Sequence, residues 1–430
     1  MSTLHGLDER SSPVQFHLVS SGLPVHGIWK STPAMVDLNA DGLPDLAALP
    51  RMGYGARVWL GNTNARWIES SDGLAVNGSC GGGVSADDVN RDGHFDLVVA
   101  DHCGGVFVYL GDGKGRWTAV VKELAPAIAR TAPADDEDDP YLGTEDVAIG
   151  DVNGDGYLDL VVAASNQGGF SVYLGDGSGK VWKEITVPDG LPSGVDPEPD
   201  DTENAGWANR VLLADVDGDK HLDVVASYHS GPRVWRGTGM ARWQPFSDGL
   251  PSPAAGGVYR AVALGDVDGD GRLDLITTNM IDGVEVYVQA AEGRWRRVAS
   301  EALSSLIGGA TAVAVGDLDG DRHLDLVVAG RRTRSDTAGV FVFLGNGKAE
   351  WREVRTGLPS DDYPFVWGIT IGDLNRDGAP DVVIATGFVA EPHRTRSDRA
   401  SPIQPPTGVP SGGPQLQVWI NSRATPERRQ

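Results

Sequence analysis

The stretch DVDGDGRLDLITT, beginning at Asp266, places four aspartates within nine positions, and close relatives of it begin at Asp37, Asp88, Asp151, Asp215, Asp317 and Asp373. Successive copies stand 51, 63, 64, 51, 51 and 56 residues apart. A period near fifty residues, with insertions in some copies, belongs to stacked supersecondary units such as propeller blades or solenoid turns. It also accounts for a length of 430 residues, which would otherwise suggest two or three separate domains.

Each copy carries the same elements. An apolar segment such as YRAVALG precedes the acidic loop, and a β-branched run such as LDLVVA follows it. Both read as strands by length and composition. A third strand ends in a Gly/Asn/Asp-rich turn, as in FVYLGDGKGRW and SVYLGDGSGKVW, and the aromatic after the turn starts a fourth. Four strands per copy make a blade. The seventh copy ends at LQVWINSRATPERRQ without a fourth strand, whereas VQFHLVSSGLP near the start reads like the fourth-strand segments RWQPFSDGLP and EWREVRTGLP. Phe16 then stands where Trp243 and Trp351 stand, and the first strand would close a ring by completing the last blade, leaving no long exposed edge. The expected fold is all-β: a seven-bladed β-propeller of four-stranded blades over residues 14–421, with tails at 1–13 and 422–430 and a long insertion in blade 7 at 387–414.

The repeats resemble the FG-GAP or VCBS-type family, whose mark is a D-x-[DN]-x-D-G-x-x-D loop between a blade's first and second strands, and whose members include the propeller heads of integrin α-subunits. The resemblance implies calcium, bound by side chains at loop positions 1, 3, 5 and 9 and a backbone carbonyl at position 7. The chemistry agrees, because Ca²⁺ takes six to eight oxygens at roughly 2.3 to 2.6 Å and a glycine at position 6 permits the tight turn. Up to seven ions are expected. Their ligands would be Asp37, Asn39, Asp41 and Asp45; Asp88, Asn90, Asp92 and Asp96; Asp151, Asn153, Asp155 and Asp159; Asp215, Asp217, Asp219 and Asp223; Asp266, Asp268, Asp270 and Asp274; Asp317, Asp319, Asp321 and Asp325; and Asp373, Asn375, Asp377 and Asp381. Lys220 and Arg322 replace the glycine in two loops. A left-handed non-glycine residue there would cost about 1 to 2 kcal/mol, so the 266 loop is expected to hold calcium more tightly than the 215 and 317 loops. An EF-hand would need flanking helices and a glutamate at position 12, where this chain has strand residues such as Val162 and Thr277. His94, His221 and His323 occupy position 7, which needs only a carbonyl, and read as surface residues.

A formal charge of −24 argues against nucleic acid and anionic membrane as partners, and no apolar run is long enough to span a bilayer. Nine of the twelve tryptophans sit in third or fourth strands. The other three, Trp29, Trp207 and Trp367, lie eight, eight and six residues before a first loop aspartate, with Cys80, Glu145 and Arg260 at matching positions elsewhere. That places them round the central funnel on the face opposite the metal loops. With Tyr259 and Arg260 they are the expected contacts of a carbohydrate or protein ligand, and packing within the funnel is the alternative. No nucleophile elbow, zinc-type histidine spacing or phosphate loop is present. A binding or adhesion module is therefore preferred over a sugar- or polysaccharide-active lyase or dehydratase, for which His26, His102, His229, Tyr259 and Arg260 would be the candidates. Cys80 and Cys103 would face each other across the first two strands of blade 2 and are expected to form a disulfide, with two free thiols as the alternative. Calcium chemistry and the resemblance together imply an extracellular or periplasmic location.

Overall fold

The computed structural model describes residues 13–51, 55–62, 66–75, 80–102, 104–124, 143–164, 169–185, 189–192, 208–251, 258–306, 309–332, 338–360, 363–387 and 415–422. They form seven antiparallel sheets of four strands each. Blade 5 shows the pattern: Tyr259–Gly265, Asp274–Asn279, Gly283–Gln289 and Trp295–Val298 pair in chain order. First strands of neighbouring blades pack on one another round the axis, from Ala34–Val36 beside Val84–Asp87 to Val366–Gly372 beside Ala34–Val36. The acidic stretches join first to second strands and so share one face of the disc.

The core lies between blades. Val225 and Val234 of blade 4 cluster with Val262, Leu275, Tyr287 and Trp295 of blade 5. Each sheet is covered on both faces, which explains why the second strand reads as an unbroken apolar run; Asp274–Asn279 is buried at all six positions. Blade-to-blade joints repeat one device at the outer rim. The backbone N–H of Trp295 donates to the Asp248 carbonyl at 2.8 Å. Gly249 turns there with φ 94°, and a Cβ on it would lie 2.0 Å from the Trp295 carbonyl oxygen. Gly22, Gly73 and Gly190 approach Trp67, Trp117 and Trp243 in the same way.

Phe16–Leu18 pairs antiparallel with Leu416–Asn421, Phe16 opposite Asn421. The N-terminal strand thus completes the seventh sheet. Its joint to blade 6 copies the others: the Phe16 N–H donates to the Thr356 carbonyl at 2.6 Å, and Gly357 meets the Phe16 carbonyl.

Candidate metal centres and the opposite channel mouth

Each acidic loop is held by its own backbone. In the 266 loop, Asp266 accepts the N–H groups of Gly269, Asp270 and Gly271 at 2.7, 3.1 and 2.9 Å, and Asp270 accepts that of Arg272 at 2.9 Å. Asp274 ties the loop to the sheet, accepting from Val267 on one oxygen and from Gln289, in the third strand, on the other, both at 2.9 Å. The ninth-position aspartate does this in all seven loops, with Gly61, Gly111, Gly175, Gly237, Gly345 and Asn421 as the third-strand donors elsewhere. Positions 4 and 6 are left-handed in every copy, including Ala40, Arg91 and Arg376 at position 4 and Lys220 and Arg322 at position 6. The replacement of glycine therefore leaves the loop conformation intact and adds local strain.

These loops gather oxygen at one point. In the 215, 266 and 317 loops, one carboxylate oxygen from each of positions 1, 3 and 9 lies within 4.8 Å of the others. Asn39, Asn90, Asn153 and Asn375 take position 3 in the remaining four, each amide donating to the position 5 carboxylate at 2.9 to 3.0 Å. Burial pushes the ninth-position carboxyl up in every loop, to about 7 at Asp45, Asp325 and Asp381 and to about 6 at Asp96, Asp159, Asp223 and Asp274, against the pull of two backbone N–H bonds. An all-oxygen donor set with one buried, charge-starved carboxylate fits a hard divalent cation. Arginines compete in two loops, as Arg272 pairs with Asp270 and Arg236 approaches Asp217 at 3.5 Å. The position 7 histidines pack beneath the hairpin glycines: a Cβ on Gly113, Gly239 or Gly347 would lie 2.2 to 2.3 Å from the Nδ1 of His94, His221 or His323.

On the opposite face the copies differ from one another. Ser31, Gly82, Glu145, Asn209, Arg260 and Trp367, each six residues before a first loop aspartate, line one cavity of about 40 Å³. The strand register explains this. In blades 3 to 7 the first strand carries an irregularity at this position, so that Glu145, Asn209 and Trp367 are skipped by the pairing, as is Arg260 with its neighbour. A β-bulge re-aims the unpaired side chain, here towards the axis. Glu145 is almost wholly buried, with Lys30 Nζ at 2.5 Å and His102 Nδ1 at 2.7 Å. Burial alone would push its carboxyl up, but Lys30 and His102 prevail and hold it at about 2. Asp146 accepts the Val211 N–H at 3.0 Å and faces Arg210 at 3.5 Å. The Arg260 guanidinium stacks 4.9 Å from the Trp367 ring, and burial holds its pKa below the usual range.

The expected ligand contacts divide. Arg260 and Trp367 meet at the cavity. Trp29 is 5% exposed and packs edge-on to Trp59 at 5.1 Å, in the core between blades 7 and 1. Tyr259 is buried, its hydroxyl donating to Glu285 at 3.0 Å. Trp207 lies outside the described residues, as do the blade 7 insertion beyond Gly387 and Cys103. Cys80 is disulfide-bonded. Of the candidate catalytic histidines, His102 approaches the cavity through Glu145, His229 lies 3.3 Å from Asn209 and His26 is exposed. Sequence spacing mixed positions eight and six before the loop; a count fixed at six would have assembled the lining.

Among the described residues no helix is long and apolar enough to cross a membrane. Cartilage acidic protein 1 of Xenopus tropicalis is 25% identical over 319 residues, which cover 70% of this chain and 45% of that protein, so the chain spans less than half the length of this relative. Among solved structures, BBS1N in complex with ARL6DN aligns over 94% of this chain and 95% of its own with TM-score 0.54 and 12% identity. An Agrocybe aegerita lectin specific for non-reducing terminal N-acetylglucosamine aligns over 76% and 80% with TM-score 0.50 and 16% identity. Both likenesses concern the fold. Residues 37–99, 88–162, 151–226, 215–277, 266–328 and 317–384 each match the FG-GAP-like repeat, and the chain belongs to that family.

Proposed function

We propose that this chain is a calcium-stabilised binding propeller of extracellular or periplasmic type, in which residues 14–421 act as one unit and the face opposite the metal loops meets a carbohydrate or protein ligand. The observation that carries the reading is the sevenfold repetition of one oxygen-rich loop geometry, kept even where glycine is replaced at positions 4 and 6. Calcium would be held by positions 1, 3, 5 and 9 of each loop, and its charge would offset the crowded carboxylates. On the other face, Arg260 and Trp367 meet at one cavity, an aromatic and cationic pair that a ligand could engage. A lectin and a protein complex among the structural neighbours support a ligand-binding role.

A second reading, a sugar-active lyase or dehydratase, is favoured by one observation: His102, Glu145 and Lys30 converge beside the cavity that Arg260 lines. Both readings meet one experiment. A glycan array probed with and without calcium, followed by incubation with each bound glycan, should show calcium-dependent retention without turnover. Turnover of a retained glycan would favour the enzyme, and retention of no glycan would leave only a protein ligand, to be sought by crosslinking.

A further inference from the structure

The channel mouth holds a cation, Arg260, that no hydrogen bond or ion pair engages among the described residues. Glu145 is engaged by Lys30 and His102, and Asp146 by Arg210 and the Val211 N–H. Arg260 lines the same cavity, yet among the described residues it makes no hydrogen bond or ion pair, only its stacking on Trp367 and, at 5.7 Å, on Phe365. Arg51 adds a further guanidinium 5.7 Å from the other partner of that stack, Trp367. Among the described residues, the cavity is thus lined by three cationic side chains, Lys30, Arg210 and Arg260, and two carboxylates, Glu145 and Asp146. In a chain of net charge −24 this is a local reversal of sign. Arg260 is part-buried, and an anion entering the cavity would gain charge-assisted hydrogen bonds from its guanidinium fork.

The space round it selects the anion. The cavity of about 40 Å³ corresponds to roughly three waters, which suits a planar carboxylate and is tight for a tetrahedral phosphate or sulfate. It shares Thr32, Arg210, Ala261 and Trp367 with a wider space of about 320 Å³ along the axis, walled mainly by apolar side chains such as Leu212, Leu264, Val315 and Ile371. That volume stands at the lower end of small-molecule sites. The geometry points to a binding site for a small monocarboxylate with an apolar body, its head on Arg260 and its body in the axial channel. The site is independent of the calcium loops, which lie on the other face.

Calorimetric titration with octanoate, octanamide and acetate separates head from body. Octanoate is expected to bind at one site per chain, with octanamide and acetate each at least tenfold weaker. Arg260→Gln should weaken octanoate at least tenfold, and Arg260→Lys, which keeps the charge and loses the planar fork, by less. Absence of octanoate binding, equal binding of octanamide, or parent-like binding by a folded Arg260→Gln variant would overturn the assignment. Should Arg260→Gln fail to fold, the octanoate and octanamide comparison on the parent protein decides alone. None of these outcomes bears on calcium, which is read separately from the melt.

Discussion

The two faces of the disc are built from the same repeat and have opposite characters. On the loop face, seven copies keep the same left-handed positions and the same ninth-position anchor despite Ala, Arg or Lys where glycine is commonest. At the channel mouth, the position six residues before each loop holds Ser31, Gly82, Glu145, Asn209, Arg260, Thr311 and Trp367 in turn. Where a repeat keeps its chemistry, every blade has the same task. Where one position changes in every copy, unlike side chains converge on a single axis and can form one asymmetric site.

The largest effect on this contrast should come from Glu145→Gln, which leaves Lys30 buried without its counter-ion and should destabilise by about 3 to 5 kcal/mol at neutral pH. Because the folded pKa of Glu145 is depressed to about 2, its contribution is complete above the unfolded value of roughly 4.3 and fades as pH falls towards 2. Melting curves of parent and variant should therefore converge on acidification; a gap independent of pH would show that the carboxylate charge is not what matters. Breaking the disulfide at Cys80 should follow at about 2 to 4 kcal/mol, read as a lower melt after reduction. Intact mass after denaturing alkylation checks its pairing with Cys103, and two free thiols in untreated protein would refute it.

Gly249→Ala attacks the shared joint between blades. With a positive φ and the Trp295 carbonyl at 2.0 Å from the new Cβ, it should cost about 1 to 3 kcal/mol by denaturant titration, while leaving the mouth chemistry unchanged. The smallest effect concerns the ranking of loops. Arg272 occupies Asp270 and Arg236 approaches Asp217, whereas among the described residues no ion pair within 4 Å engages the 317 loop. Its left-handed Arg322 works the other way. Arg272→Gln should thus raise the calcium affinity of the 266 loop by several-fold, measured by occupancy at limiting calcium; unchanged occupancy would mean that the arginine yields to the ion at no cost.

Most of the architecture was legible in the sequence because it is written seven times. The acidic loops fixed the blade count, and Phe16 in place of a tryptophan marked the closing strand, since the outer joint needs a large ring beside the GLP turn of the preceding blade. The mouth was less legible. A β-bulge has no residue signature here, as Glu145, Asn209 and Trp367 share nothing but their place six residues before the loop, and nothing in the residue types marks that count over one of eight. Trp29 read as a funnel aromatic for that reason, although it lies two residues further from the loop and enters the blade core. The Arg272 pairing was equally hidden, because it depends on a side chain folding back over its own loop.

The central claim is that the repeated face is a set of calcium sites that holds the propeller together. Its most direct measurement is a thermal melt of the full chain in calcium and after chelation, with metal content determined in both samples. Because the loops can bind only when folded, removal should lower the midpoint by more than about 10 °C, and returning calcium should restore it. An unchanged midpoint in protein shown to be free of metal would contradict the account.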